Sequence, residues 1–296
     1  MKLAAPALPA LRAADFIELT KPRITLMVVL TAAVAAVVAA PGHMPVLRFL
    51  HLLVGTALVA AGASTLNQVL EHEFDARMRR TANRPIPSGR LQPDQALLFG
   101  VAAAVTGLLE LALAVNLLTA LVGAATLAGY VFVYTPLKRV SSLATVVGAI
   151  PGAMPPLMGW AAMRDQLGPG AWALFGLMFF WQLPHFLAIA WIYRADYERG
   201  GYPMLAVGDP DGARTARQAL LYGAALVPVS LLPAALRLAA GLYLLSALAL
   251  GLGLLACCVL FALSRSTTAA RRLMLASVLY LPALLLLLVL DRVPLH

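Results

Sequence analysis

The sequence predicts an all-α, polytopic membrane protein of nine transmembrane helices in one bundle, and three observations predict it. Hydrophobic residues fill 61% of the 296 positions and charged residues only 12%, against roughly 25% charged in a typical soluble domain. Apolar runs of about 17 to 25 residues, the length that crosses a bilayer, recur at 24–40, 46–66, 96–114, 117–135, 143–160, 171–192, 218–236, 241–263 and 273–290. The basic residues divide by loop. With the N-terminus in the cytoplasm, 18 of the 22 Lys and Arg residues fall in the tail and the cytoplasmic loops, leaving Arg48, Arg164, Arg237 and Arg292 for the other side. One missed or extra helix would scramble that bias, so it supports nine spans and an N-in, C-out orientation; the expected location is a bacterial inner membrane. Topology therefore accounts for the net charge of +9, and no nucleic-acid partner is expected.

Residues 1–23 read as a cytoplasmic tail, with Asp15 to Thr20 forming an interfacial turn and Lys21-Pro22-Arg23 anchoring the first span. Residues 24–296 read as a single transmembrane domain whose active-site loops lie at about 67–95 and 193–217. The first run is full length, so no cleavable signal peptide is expected. Small residues in the second span, such as Gly55, Gly62 and Ala63, suit close helix packing. Glu110, the lone acid inside the third run, falls near the end remote from the Arg-rich loop and reads as reaching the interface. Tyr130 and Tyr134, one turn apart at the cytoplasmic end of the fourth run, suit either an aromatic belt or a pocket. The fifth run, dense in Pro and Gly from Gly148 to Gly159, reads as a packed kink. Cys257 and Cys258 are neighbours on a helix, point about 100° apart, and read as packing residues.

The longest polar passage, 67–91, reads NQVLEHEFDARMRRTANRPIPSGRL. Asn67, Glu71 and Asp75 are spaced i, i+4, i+8, so on a helix they lie within an arc of about 80° and span about 12 Å. Amide and carboxylate oxygens in such a row suit a hard divalent cation such as Mg²⁺. Arginines 77, 79, 80 and 84 follow at once, and guanidinium groups suit phosphate oxygens. Together they would hold a metal diphosphate whose apolar tail lies between the helices. The second polar passage follows the sixth run, where His185 and Asp196 are eleven residues apart, close to three helical turns, and would share a face. His185, beside Pro184, reads either as functional or as a satisfied structural residue.

These residues carry a resemblance. The series N-x-x-x-E-x-x-x-D followed by M-x-R-T-x-x-R-P is similar to the first acidic motif of the UbiA-type intramembrane prenyltransferases. More narrowly, ELTKPR at 18–23, the whole of 67–91, YTPLKR at 134–139 and PHFLAIAWIYRADYERGGYPML at 184–205 resemble the protohaem IX farnesyltransferase (haem O synthase) family, in order and over roughly residues 15–210. The resemblance implies a UbiA-type bundle and transfer of a farnesyl group from farnesyl diphosphate to the 2-vinyl group of protohaem IX, with water added. It further implies Mg²⁺ on Asn67, Glu71, Asp75 and Asp196, with Arg80, Arg84, Lys138, Arg139 and Arg194 receiving the diphosphate. The second motif departs from the superfamily, where paired aspartates are usual. Imidazole is a poor Mg²⁺ ligand, so His185 would orient diphosphate, handle a proton or touch haem iron. His72, Tyr130 and Tyr134 are weaker haem or prenyl contacts. Membrane lipid and a haem A synthase or terminal oxidase assembly are the remaining implied partners. The alternatives are the same fold acting on a quinone precursor or another acceptor, and a membrane transporter, whose acids should lie nearer the midplane.

Overall fold

A computed structural model describes residues 12–294; the tail's first eleven residues, Lys2 among them, lie outside it. Among the described residues nine helical segments are long and apolar enough to cross a membrane, and no strand forms beyond an isolated bridge between Ala239 and Arg292. The chain runs through α1 (Ala13–Leu19), α2 (Pro22–Ala39), α3 (Val46–Asp75), α4 (Pro93–Ala114) and α5 (Leu117–Ala128). A π-helical stretch, Gly129–Tyr134, leads into α6 (Thr135–Leu137), and the fifth span is made of α7 (Ala144–Ala153) and α8 (Pro155–Arg164). Then come α9 (Pro169–Ile192), α10 (Arg194–Arg199), α11 (Ala213–Ala235), α12 (Gly241–Ser264) and α13 (Thr267–Leu290).

The spans form a ring. α3 packs along α4, α4 against α5, α5 against α8, α9 against both α11 and α13, and α13 reaches α2 to close the circle. In a membrane, helices gain little from hiding apolar surface and depend instead on close contact, which small residues permit. Gly62 shows this, since a Cβ there would stand 2.7 Å from the Ala104 nitrogen of α4. Gly159 is tighter still: its Cβ would meet the Ala32 carbonyl oxygen of α2 at 1.9 Å. The Pro-Gly-rich fifth span breaks at Met154, ahead of Pro155, and its second half, α8, is buried from Pro155 to Met163. Gln182 of α9 donates to the Ala149 carbonyl at 2.9 Å beside that break, so protein takes up the irregular backbone as a packed kink requires. Leu98, Leu113, Phe132 and Leu279 face outward, as lipid-facing side chains do.

The segment expected to be a tail through residue 23 is built into the bundle from Ala13 onward. α1 lays Leu19 and Phe16 against Val69 of α3 and against Ile86, Leu91 and Ala96, while Gln68 donates to the Leu19 carbonyl at 2.7 Å. Arg90 ties the same helix down by pairing with Asp15 and Glu18. This small second core holds the Pro-x-Pro loop in place, and with it Arg84.

Candidate active site

α3 runs on past the apolar run that ends at residue 66, because 67–75 holds no helix breaker and is rich in helix formers. Its last turns therefore carry Asn67, Glu71 and Asp75 on one face, all buried. The chain then folds back, the Thr81 hydroxyl donating to the Asp75 carbonyl at 2.8 Å.

Each member of the row meets a cation from a different segment. Lys21 Nζ donates to Asn67 Oδ1 at 3.1 Å, Lys138 Nζ stands 3.2 Å from both carboxylate oxygens of Glu71, and Arg84 donates to Asp75 Oδ2 at 2.6 Å. The Asn67 amide nitrogen donates to Thr135 Oγ1 at 3.1 Å, and that hydroxyl donates to the Tyr130 carbonyl at 2.9 Å. This chain of bonds fixes which way the Asn67 oxygen points. Asp75 Oδ1 is buried with no hydrogen-bond partner. Burying an unpaired carboxylate oxygen costs free energy, so this atom, in a row of amide and carboxylate oxygens, fits a hard divalent cation.

Electrostatics separates the two lysines. Burial, aided by repulsion from Arg84 and Lys138, brings Lys21 down to about 7 in spite of the attraction of Glu71 and Asp75. Burial also opposes the charge on Lys138, but the Glu71 carboxylate and nearby phenols outweigh it and hold its pKa above the ordinary lysine value. Lys21 also stands in the left-handed region at φ 48°. A non-glycine residue pays for that conformation, and the residue before a proline is restricted further.

Aromatic rings cover the row. Arg80 lies over the rings of Tyr193 and Tyr197 at 5.5 and 5.6 Å, and Lys138 Nζ sits 4.4 Å from the centre of Tyr202. Tyr130 and Tyr134 stack at 5.3 Å within the π-helical stretch, and the charge of Glu71 reaches both.

Other sequence expectations land elsewhere. α9 ends at Ile192, Tyr193 breaks the helix, and α10 restarts at Arg194, so His185 and Asp196 lie on different helices and the three-turn spacing does not place them on one face. His185 Nδ1 shares a 2.8 Å hydrogen bond with Ser277 Oγ of α13, and Asp196 pairs with Arg199. Among the described residues no three His, Cys, Asp or Glu side chains gather to hold a metal, so Asp196 does not join Glu71 and Asp75. Arg194 lies over Trp191 at 4.3 Å, and Arg139 lies over Phe74 at 4.6 Å while bonding the Leu70 carbonyl. His72 turns back to the Val69 carbonyl at 2.8 Å. Glu110 meets His51 at 2.6 Å across α3 and α4, toward the end where Arg48 faces Asp165 at 3.5 Å.

Sequence reasoning missed Lys21, Thr135, Tyr197 and Tyr202. A lysine before a span reads as an anchor, and nothing local distinguishes one that also bonds a side chain 46 positions away. Lys21 does lie inside the ELTKPR stretch, which was the available signal.

Three buried side chains in a row, each facing a basic group at one end of a membrane-spanning bundle, form an arrangement whose chemistry suits a metal-bound polyanion. The profile of the UbiA prenyltransferase family matches residues 28–285, and the chain belongs to that family of membrane enzymes. Its relatives are narrower in kind. It is 50% identical to the protoheme IX farnesyltransferase of Solibacter usitatus, over 94% of this chain and 98% of that one. The protoheme IX farnesyltransferase of Myxococcus xanthus is 43% identical over 99% of both chains. The fold matches a digeranylgeranylglyceryl phosphate synthase at a TM-score of 0.79 and 15% identity, covering 94% of this chain and 97% of the other. It also matches a UbiA homolog from Archaeoglobus fulgidus bound to GPP and Mg²⁺, at 0.65 and 16%, covering 93% and 99%.

Proposed function

We propose that the protein converts protohaem IX to haem O by transferring the farnesyl group of farnesyl diphosphate to the 2-vinyl group, with addition of water. The observation that carries this reading is the set of three oxygen–cation pairs, Asn67 with Lys21, Glu71 with Lys138 and Asp75 with Arg84. The names of the relatives supply the acceptor.

Asn67, Glu71 and Asp75 would hold Mg²⁺, which supplies charge neutralisation for a departing diphosphate. On substrate binding, Lys138, Arg84 and Lys21 exchange their carboxylate and amide partners for diphosphate oxygens, and Arg80 adds charge at the rim. Preorganised cations aimed at developing negative charge are a main source of rate. The bond between C1 of the farnesyl group and the diphosphate oxygen breaks, and its electron pair leaves with the diphosphate. The terminal vinyl carbon then forms the new carbon–carbon bond with C1. Water captures the positive charge left on the adjacent vinyl carbon and loses a proton, so one water is consumed for each diphosphate released. His185, with Nδ1 committed to Ser277, offers Nε2 to protohaem rather than to the diphosphate.

The site lies at the cytoplasmic face of a bacterial inner membrane, with the N-terminus inside and the C-terminus outside, and residues 24–296 act as one transmembrane domain. The test is to supply purified protein with farnesyl diphosphate, protohaem and Mg²⁺ and to identify the haem products by mass. A haem carrying the added mass of a farnesyl and a hydroxyl group is expected. Diphosphate release without it would point to another acceptor, and binding without turnover would favour transport.

A further inference from the structure

We propose that the Tyr202 hydroxyl is a hydrogen-bond donor to the diphosphate of the bound prenyl substrate; this rests on the prenyl-diphosphate reading above. Tyr202 stands in the second polar passage, just after the turn at Gly201, whose φ of +73° only glycine adopts readily. The turn carries the ring back over the end of α3, where it packs 5.4 Å from Phe74 and 6.2 Å from Tyr197. Only 1% of the residue is exposed, and its hydroxyl has no hydrogen-bond partner.

A buried tyrosine hydroxyl without a partner is unusual, because the polar end of the ring normally finds one. Phenylalanine would serve packing alone, since the ring contacts with Lys138, Phe74 and Tyr197 need no oxygen. The phenol also lies where an anion would be handled, within electrostatic reach of Lys138, Glu71, Asp75 and Arg139. The basic groups around it are already engaged, Lys138 with Glu71, Arg84 with Asp75 and Arg80 with Tyr197. Tyr202 is thus a neutral donor with its hydrogen uncommitted. Burial pushes its pKa above the ordinary tyrosine value, which keeps the proton in place.

The experiment measures the affinity of the full-length protein for farnesyl thiolodiphosphate, an unreactive analogue, with Mg²⁺ present, in wild type, Tyr202→Phe and Tyr202→Met. A hydrogen bond to a charged group corresponds to a loss of about 10-fold or more when the donor is removed. Both variants are expected to bind the analogue at least about 10-fold more weakly, with protohaem affinity and melting temperature unchanged. Tyr202→Met keeps the test open should Tyr202→Phe fail to fold. Wild-type affinity in either folded variant overturns the donor role, as does a parallel loss of protohaem binding, which marks a structural effect. If the wild type itself does not bind the analogue, the prenyl-diphosphate reading fails and this proposal falls with it.

Discussion

The two polar passages, 67–91 and 193–217, are alike in composition and unlike in what their acids do. In the first, Glu71 and Asp75 lie on the unbroken continuation of a span, where Glu71 faces Lys138 from a distant segment and Asp75 faces Arg84, folded back from the same passage. In the second, the helix breaks at Tyr193 before its first acid, and each aspartate is spent away from the row: Asp196 on Arg199, Asp209 on the start of α11, and Asp211 on Arg265 at the far end of α12. What the second passage gives the row is rings, from Tyr193, Tyr197 and Tyr202. An acid's role thus follows from whether the helix carrying it continues, not from its distance from the membrane.

The largest effect that could break this comparison comes from the acids themselves. Glu71→Gln and Asp75→Asn are each expected to lower turnover by about 100-fold or more, measured as farnesylated haem by mass. Asp196→Asn, which loses only a partly exposed ion pair, should cost at most about 5-fold. Equal losses would return Asp196 to the metal set. Chelating Mg²⁺ is expected to stop turnover while leaving the melting temperature nearly unchanged, because each oxygen of the row except Asp75 Oδ1 keeps a protein partner. A large fall in melting temperature on chelation would mean that the metal holds the first passage together.

His185→Ala sharpens the contrast from the other side. It should weaken protohaem binding by about 10-fold and spare affinity for the prenyl diphosphate, since its ring bonds α13 rather than the row. Unchanged haem binding and full activity would remove the residue from the site. The smallest effect is at Asp209, which accepts from the Thr215 amide and hydroxyl at 2.7 Å and so caps α11. Burial works to raise its pKa, but these bonds, with the Arg214 amide and charge, outweigh it and hold the carboxyl below the ordinary value of 3.8. Asp209→Ala should cost about 1 kcal/mol of stability, read by thermal unfolding. That advantage of the carboxylate is complete above about pH 3.8 and is lost as the pH falls through the lower folded value.

The helical skeleton was legible in sequence because bilayer thickness dictates span length, and the nine runs match the spans to within a few residues at most ends. The row Asn67, Glu71, Asp75 was legible because helical spacing held through it. Arg84 followed from charge chemistry, and Lys138 from the resemblance of YTPLKR at 134–139. The same arithmetic failed from His185 to Asp196, where Tyr193 interrupts a helix that no proline or glycine marks. Lys21 and Tyr202 were hidden for a different reason. Their partners lie far off in the chain, and one sequence carries no signal for which distant segments meet.

The π-helical stretch at Gly129–Tyr134 adds a question of length to the question of residue identity. A wider turn of this kind accommodates one residue more than an α-helix would, and each added residue rotates everything beyond it by about 100° about the axis. Thr135 and Lys138 point at Asn67 and Glu71 only with that extra residue counted. Tightening the stretch into an α-helix with all its residues kept would swing the lysine off the glutamate without altering a single functional side chain, whereas deleting one exposed residue, such as Val133, would let the turn close and leave the lysine in place.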